Sequence, residues 1–218
     1  MARRTSTIPL LVLGSCLALA GACDDGPGFD TGLDGDDDDD DDGAADGDAD
    51  GDSDVGGDGE CKALDDNFQQ EWAAFEQQVL QVTNERRAEG ADCGSQGNFG
   101  PAAPLTMQSQ LRAAARRHSW HMGEEGYFTH ESPGGPCGET PWDRIETAGY
   151  TNWTALGENI AAGYNSAQEV MAGWMGSDGH CANIMSPSFT EIGIGYASVP
   201  GSEFTVYWTQ DFGSSSGN

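Results

Sequence analysis

Four histidines, His118, His121, His130 and His180, and six cysteines are the side chains of this 218-residue sequence best suited to chemistry near neutral pH. An imidazole exchanges a proton near pH 7 or ligates a divalent metal, and a thiolate attacks electrophiles or holds zinc. Spacing narrows these options. His118 and His121 are three apart on a predicted helix, but there is no HExxH pattern, and His118 falls on an apolar stripe, where a satisfied core histidine belongs. The cysteines show no CxxC spacing, so structural zinc is not expected. Cys181 directly follows His180, a neighbour that could activate a thiolate, although an exported chain with an even set of cysteines favours disulfides.

What surrounds these residues is set first by charge. The formal net charge is −28, with 37 acidic residues against 9 Lys and Arg. Of the acids, 18 lie between Asp24 and Glu60, where there is no basic residue. Clustered cations are needed to displace counterions from nucleic acid, so nucleic acid is excluded as a partner. The arginines sit mainly on predicted helices, where solvated faces with ion pairs are expected.

The amino terminus carries Arg3 and Arg4, an apolar stretch from Ile8 to Ala22, and small residues before Cys23, the order of a secretory signal. Residues 1–22 are therefore read as a signal peptide, too short for a confident spanning helix. Leu19-Ala20-Gly21-Ala22-Cys23 resembles a bacterial lipobox, with Ala20 where Leu is usual. Cys23 is the expected lipidation site and the membrane the expected partner; a plain secreted form is the alternative. Removal of Cys16 and lipidation of Cys23 leave Cys61, Cys93, Cys137 and Cys181, an even set that reads as two disulfides with three possible connectivities.

Residues 23–60 are almost entirely Asp, Gly, Ala and Ser, with seven consecutive aspartates from Asp36 to Asp42. Like-charge repulsion and scarce apolar surface leave nothing to offset the entropy of ordering, so a disordered acidic tether is expected. Asp46 to Gly51 matches the first half of a calcium loop, but Gly57 stands where the bidentate Glu belongs, and the run reads as a solvated spacer.

Residues 61–218 must then form the domain that positions the histidines. Phe68, Trp72, Phe75, Val79 and Val82 make a helical stripe that Gly90 ends. Leu111, Ala114, Ala115, His118 and Met122 make a second, with Thr106 as the expected N-cap and an end near Gly126. Thr140-Pro141 announces a short helix closed by Gly149, and Ser166 with Glu169 forms a capping box before Val170 and Trp174. An extended segment spans Glu158 to Ala162. Ile192, Ile194 and Tyr196, then Phe204, Val206 and Trp208, alternate as two strands turning at Pro200-Gly201. Helices first and strands last argue for an α+β layered fold.

Several runs in order carry a family resemblance: Tyr127-Phe128-Thr129-His130-Glu131-Ser132-Pro133, Gly157-Glu158-Asn159-Ile160-Ala161, Gly173-Trp174-Met175, Gly179-His180-Cys181-Ala182-Asn183-Ile184, Phe189 to Tyr196, and Tyr207-Trp208-Thr209-Gln210-Asp211-Phe212. The segment from about residue 68 to 212 resembles the CAP superfamily of SCP domains, which includes cysteine-rich secretory proteins, antigen 5 and pathogenesis-related proteins. The resemblance implies an α-β-α sandwich with a central antiparallel sheet, and a cleft where two histidines meet acidic groups. The family's cleft residues fall on His130, Glu158 and His180. A further glutamate common in animal and plant members has no counterpart between Trp174 and Gly179, and its role is not given to Asp178. Because the mapping brings the His130 and His180 loops together, a Cys137–Cys181 disulfide is expected, leaving Cys61 to pair with Cys93.

Two imidazoles and a carboxylate suit a divalent metal such as Zn²⁺ or metal-free acid–base work. As plain structure, His130 and Glu158 would pair to hold loops, with His180 capping a helix. Three functional classes follow: a surface module binding a lipid, glycan or protein in the cleft, a metal-dependent hydrolase or peptidase, and a structural scaffold on a tether.

Overall fold

The computed structural model describes residues 70, 72–135 and 137–216. The expected signal peptide and acidic tether, with Cys23 and the calcium-like run, as well as Cys61 and Phe68, lie outside the described residues.

The first stripe folds as α1 (Trp72–Glu89). It buries Trp72 and Val79 and half-buries Phe75 and Val82 against the core. Gly90, at φ 78°, turns the chain out of the helix. A small hairpin of β1 (Ala91–Asp92) and β2 (Asn98–Phe99) encloses one 3₁₀ turn, Gly94–Gln96. A two-residue strand, β3 (Thr106–Met107), precedes α2 (Ser109–Glu125). Thr106 is therefore a strand residue. The α2 cap is Gln108, whose side chain accepts from the amides of Gln110 and Leu111. The short helix α3 (Pro141–Thr147) has a full capping box between Thr140 and Asp143.

β4 (Trp153–Ala162) leads to α4 (Ala167–Met175), capped by Ser166. A further helix, α5 (Asp178–Met185), carries His180. The closing strands are β5 (Glu191–Ser198) and β6 (Val206–Ser215). The sheet order is β3-β5-β6-β4, antiparallel throughout except for β3, which runs parallel to β5.

Alternation along the strands divides the two helical layers. Ile192, Ile194, Tyr196, Trp208 and Phe212 face α1, α4 and α5 in the main apolar core, where Tyr196 stacks on Phe75 at 4.7 Å. Gly193 and Gly195 face α2. A Cβ on Gly193 would lie 2.0 Å from the Leu111 backbone, and one on Gly195 2.2 Å from the Ala115 carbonyl. The two glycines let the α2 backbone lie directly on the sheet, and α3 joins that layer through Leu111, Ile145, Tyr150 and Leu156.

The disulfides differ from the expected pairing. Cys93 bonds Cys181, with Cα atoms 5.5 Å apart, so neither Cys137–Cys181 nor Cys61–Cys93 forms; Cys137 is disulfide-bonded elsewhere. The physical reason is helical periodicity. Adjacent residues on α5 point about 100° apart, so Cys181 faces the 3₁₀ turn while His180 faces β4. Asp178 reinforces that dock by accepting from the Ser95 amide at 2.8 Å. The bond joins residues 88 apart in sequence, which contributes about 4 to 5 kcal/mol in the chain-entropy treatment.

Three of the arginines expected on solvated faces, Arg87, Arg117 and Arg144, are buried. Arg87 is 1% exposed and donates to the carbonyls of Ala103, Ile184, Ser186 and Phe189. Arg144, equally buried, leads to the site.

Candidate functional site

β4 is an edge strand, and the site gathers around it. The pleat turns Glu158 toward α2 and Asn159 toward α5. On the α5 side, Asn159 donates its amide to the His180 carbonyl at 3.2 Å, and the Asn183 amide donates to the Glu158 carbonyl at 3.2 Å and to Asn159 Oδ1 at 3.0 Å. These bonds hold the helix that carries His180 against the strand that carries Glu158.

On the α2 side, Glu158 is 2% exposed. Its Oε2 accepts from Arg144 at 2.6 Å and its Oε1 from His130 Nδ1 at 2.7 Å. Burial alone would raise this carboxyl, but the Arg144 charge, with the His130 hydrogen bond behind it, outweighs burial and holds Glu158 well below the usual carboxylate range. An ionised Glu158 can only accept, so the His130 Nδ1 carries a proton. That is the carboxylate–histidine arrangement which fixes tautomer and ring direction.

Ser132, fully buried, joins the elements behind the pair. Its Oγ lies 2.9 Å from the Tyr127 hydroxyl, 3.1 Å from Arg144 and 3.1 Å from His118 Nδ1. Tyr127 and Arg144 donate into the two lone pairs of Ser132, so its single hydroxyl proton goes to His118. Burial, with the Arg144 charge second, holds His118 down to about 3. It is a neutral core imidazole, as its place on the α2 stripe implied.

Asp211 lies across the ladder from Glu158. It is fully buried, with Glu158 as its hydrogen-bonding neighbour across the ladder. Burial and then the Glu158 charge push it well above the carboxylate range, so it keeps its proton. Sequence reasoning gave Asp211 and Arg144 no role. The available signals were weak: a lone acid in a strand buried on both faces, and an arginine beside Ile145 on a seven-residue helix.

His180 is 1% exposed, and neither ring nitrogen has a hydrogen-bond partner among the described residues. Burial, then neighbouring His130, holds it down to about 4. His130 thus bears on His180 through its charge, and no disulfide joins their loops, Cys181 being bonded to Cys93. Glu158 pairs with His130 and not with His180, and no group of three His, Cys, Asp or Glu is arranged to hold a metal among the described residues. Asp178 serves the 3₁₀ turn instead, its carboxyl lowered by the bonds from Ser95.

A mixed sheet between helical layers, with a histidine pair at the edge strand and a carboxylate behind it, is the CAP-type architecture. The chain belongs to the CAP family, the cysteine-rich secretory protein family, which it matches over residues 80–212. It is 37% identical over 141 residues to the uncharacterized protein YkwD of Bacillus subtilis (strain 168), covering 64% of this chain and 47% of that protein. It is 29% identical over 137 residues to the uncharacterized membrane protein YlbC of the same strain, covering 63% of this chain and 34% of that one. The chain thus spans about half, or less, of the curated relatives it matches. Among solved structures, an extracellular protein containing an SCP domain from Bacillus anthracis str. Ames superposes with a TM-score of 0.53 at 28% identity, over 67% of this chain and 42% of that one.

Proposed function

We propose that this chain is an exported CAP-domain binding module whose ligand, a lipid, glycan or protein group, seats against His130 and His180. The observation that carries this reading is the buried His180 imidazole with both nitrogens unsatisfied. Each unmet buried polar group costs about 1–3 kcal/mol, and a ligand hydroxyl or amide returns that free energy. Glu158 acts as a fixed counter-charge behind His130, both of its oxygens engaged within the protein. Export is supported by the signal-like amino terminus and by the extracellular B. anthracis protein. No described helix is long and apolar enough to cross a membrane, and lipid on Cys23, followed by residues 24–60, would present the domain from a membrane surface.

The carboxylate-oriented His130 also favours a second reading, metal-dependent hydrolysis. His130 Nε2 and His180 would supply two imidazoles to a Zn²⁺-like ion, with Glu158 orienting the first. Such an ion would act as a Lewis acid, and water or substrate would have to complete its coordination.

Native mass spectrometry of the full-length protein separates the readings. Binding predicts a co-purifying organic adduct that is lost in His180→Ala. Zinc with peptide hydrolysis, both lost in His130→Ala, would replace it with the second reading.

A further inference from the structure

At the opening of β4, roughly 17 Å along the strand from Glu158 at about 3.4 Å per residue, the surface holds a cavity of about 220 Å³. Its walls include Gln108, Gln110, Tyr150, Thr151, Asn152 and Ser215, and every lining residue is neutral. No cation lines it to take a phosphate and no carboxylate to take a metal. The side chains offer amides and hydroxyls, groups that both donate and accept. Such a lining matches a neutral polyol. The volume lies below the range of about 300–1,000 Å³ for drug-sized ligands, which suits one sugar ring.

The rim is built. Asn152 sits at φ 58°, and its carbonyl accepts from the Ser216 amide at 3.1 Å and from the Ser216 hydroxyl at 3.0 Å, tying the carboxy-terminal strand to the cavity wall. Tyr150 donates to Glu191 at 2.7 Å and Ser215 to the same carboxylate at 3.3 Å, so the Glu191 charge is engaged. The Thr151 hydroxyl and Asn152 amide make no hydrogen bond among the described residues and remain available to a ligand.

Trp153, whose chain neighbour Asn152 and ladder partner Ser215 both line this cavity, is 39% exposed, the large apolar side chain that the described residues leave at the surface. It follows Asn152 in the chain and pairs with Ser215 across the ladder, where a bulge between Trp153 and Ala155 re-aims the strand. Its indole donates to Glu146 at 3.0 Å, which fixes the ring against α3. A flat aromatic face next to a pocket of neutral donors and acceptors offers both contacts a pyranose makes, C–H groups on the ring and hydroxyls on the amides. We infer that this cavity is a glycan-binding site, separate from the histidine pair, that takes one neutral sugar ring with the adjoining ring on Trp153.

The test is calorimetric titration of the full-length protein with chitotetraose, xylotetraose and maltotetraose, each to millimolar concentration. At least one should bind, weaken about tenfold in Trp153→Ala, as loss of an aromatic platform implies, and weaken severalfold in Thr151→Val. Binding should be unchanged in His180→Ala, which separates this site from the histidine pair. The melting temperature of each variant is read alongside, and if Trp153→Ala is misfolded the isosteric Thr151→Val decides. Failure of all three sugars to bind, or binding that survives both surface substitutions or disappears with His180→Ala, overturns the inference.

Discussion

Two buried glutamates, one at each edge of the sheet, meet arginines in opposite ways. Glu76 of α1, fully buried, takes both guanidinium forks of Arg112 and Arg116 reaching over from α2; Arg116 donates at 2.8 Å to each oxygen. Every acceptor is matched and the arginines stay 23% and 18% exposed, so that edge is a closed clamp between helices. Glu158, at the β4 edge, has one wholly buried arginine, a histidine in place of the second, and a protonated Asp211 across the ladder. Beyond it lies His180 with unmet ring nitrogens. Both carboxylates are engaged, but among the described residues the β4 edge also carries, in His180, ring nitrogens with no partner, and those are the atoms it offers to a ligand.

Breaking the β4 edge should have the largest effect. Arg144→Ala strands the Glu158 charge in the interior, which costs about 3–5 kcal/mol and lowers the melting temperature on the order of 10 °C. It should also remove ligand binding at the histidine pair. Calorimetric melting of the variant checks the first, and loss of the co-purifying adduct the second.

The clamp should yield more gently. In Glu76→Gln, Arg112 and Arg116 can turn to solvent, so the loss is about 1–2 kcal/mol, or roughly 5 °C. Binding at the histidine pair should be unaffected. Equal loss of binding in both variants would erase the distinction between the two edges.

The smallest effect sharpens the role of Asp211 and depends on pH. Its carboxyl is raised in the folded protein by burial and Glu158, while in the unfolded chain it ionises near pH 4. Above that pH the unfolded state binds fewer protons than the folded state, so this residue makes stability fall as pH rises. Asp211→Asn, which keeps the shape without the proton, should melt a few degrees higher than wild type at pH 8 and equally near pH 4. A lower melting temperature at pH 8 would mean that Asp211 works as a carboxylate.

The fold was legible because its signals are local. The α2 stripe from Leu111 to Met122 is buried as read, the Thr140-Pro141 and Ser166 caps form, and the Pro200-Gly201 turn joins β5 to β6. β3 was not legible, since two residues make no period. Nor was α5, an eight-residue helix whose buried face mixes His180, Cys181 and Asn183 with Ile184. For the site, motif resemblance reached His130, Glu158 and His180 but not what holds them. Arg144 and Asp211 act across 14 residues and across a ladder, and burial, which no spacing reveals, gives each its role. The Cys93–Cys181 bond was missed for a related reason, because adjacency in sequence to His180 says nothing of which way a helical side chain faces.

The central claim is that the β4 edge holds a neutral His180 imidazole waiting on a ligand, with Glu158 spent as the support of His130. Nuclear magnetic resonance of histidine-labelled full-length protein, followed from about pH 7.5 down to about pH 5, tests it directly. His118 and His180, held down to about 3 and about 4 in the folded protein, should keep neutral ring shifts across the whole range, and His130 should carry its proton on Nδ1. A His180 midpoint near the ordinary value of about 6.5, or a His130 without a proton on Nδ1, would contradict the account.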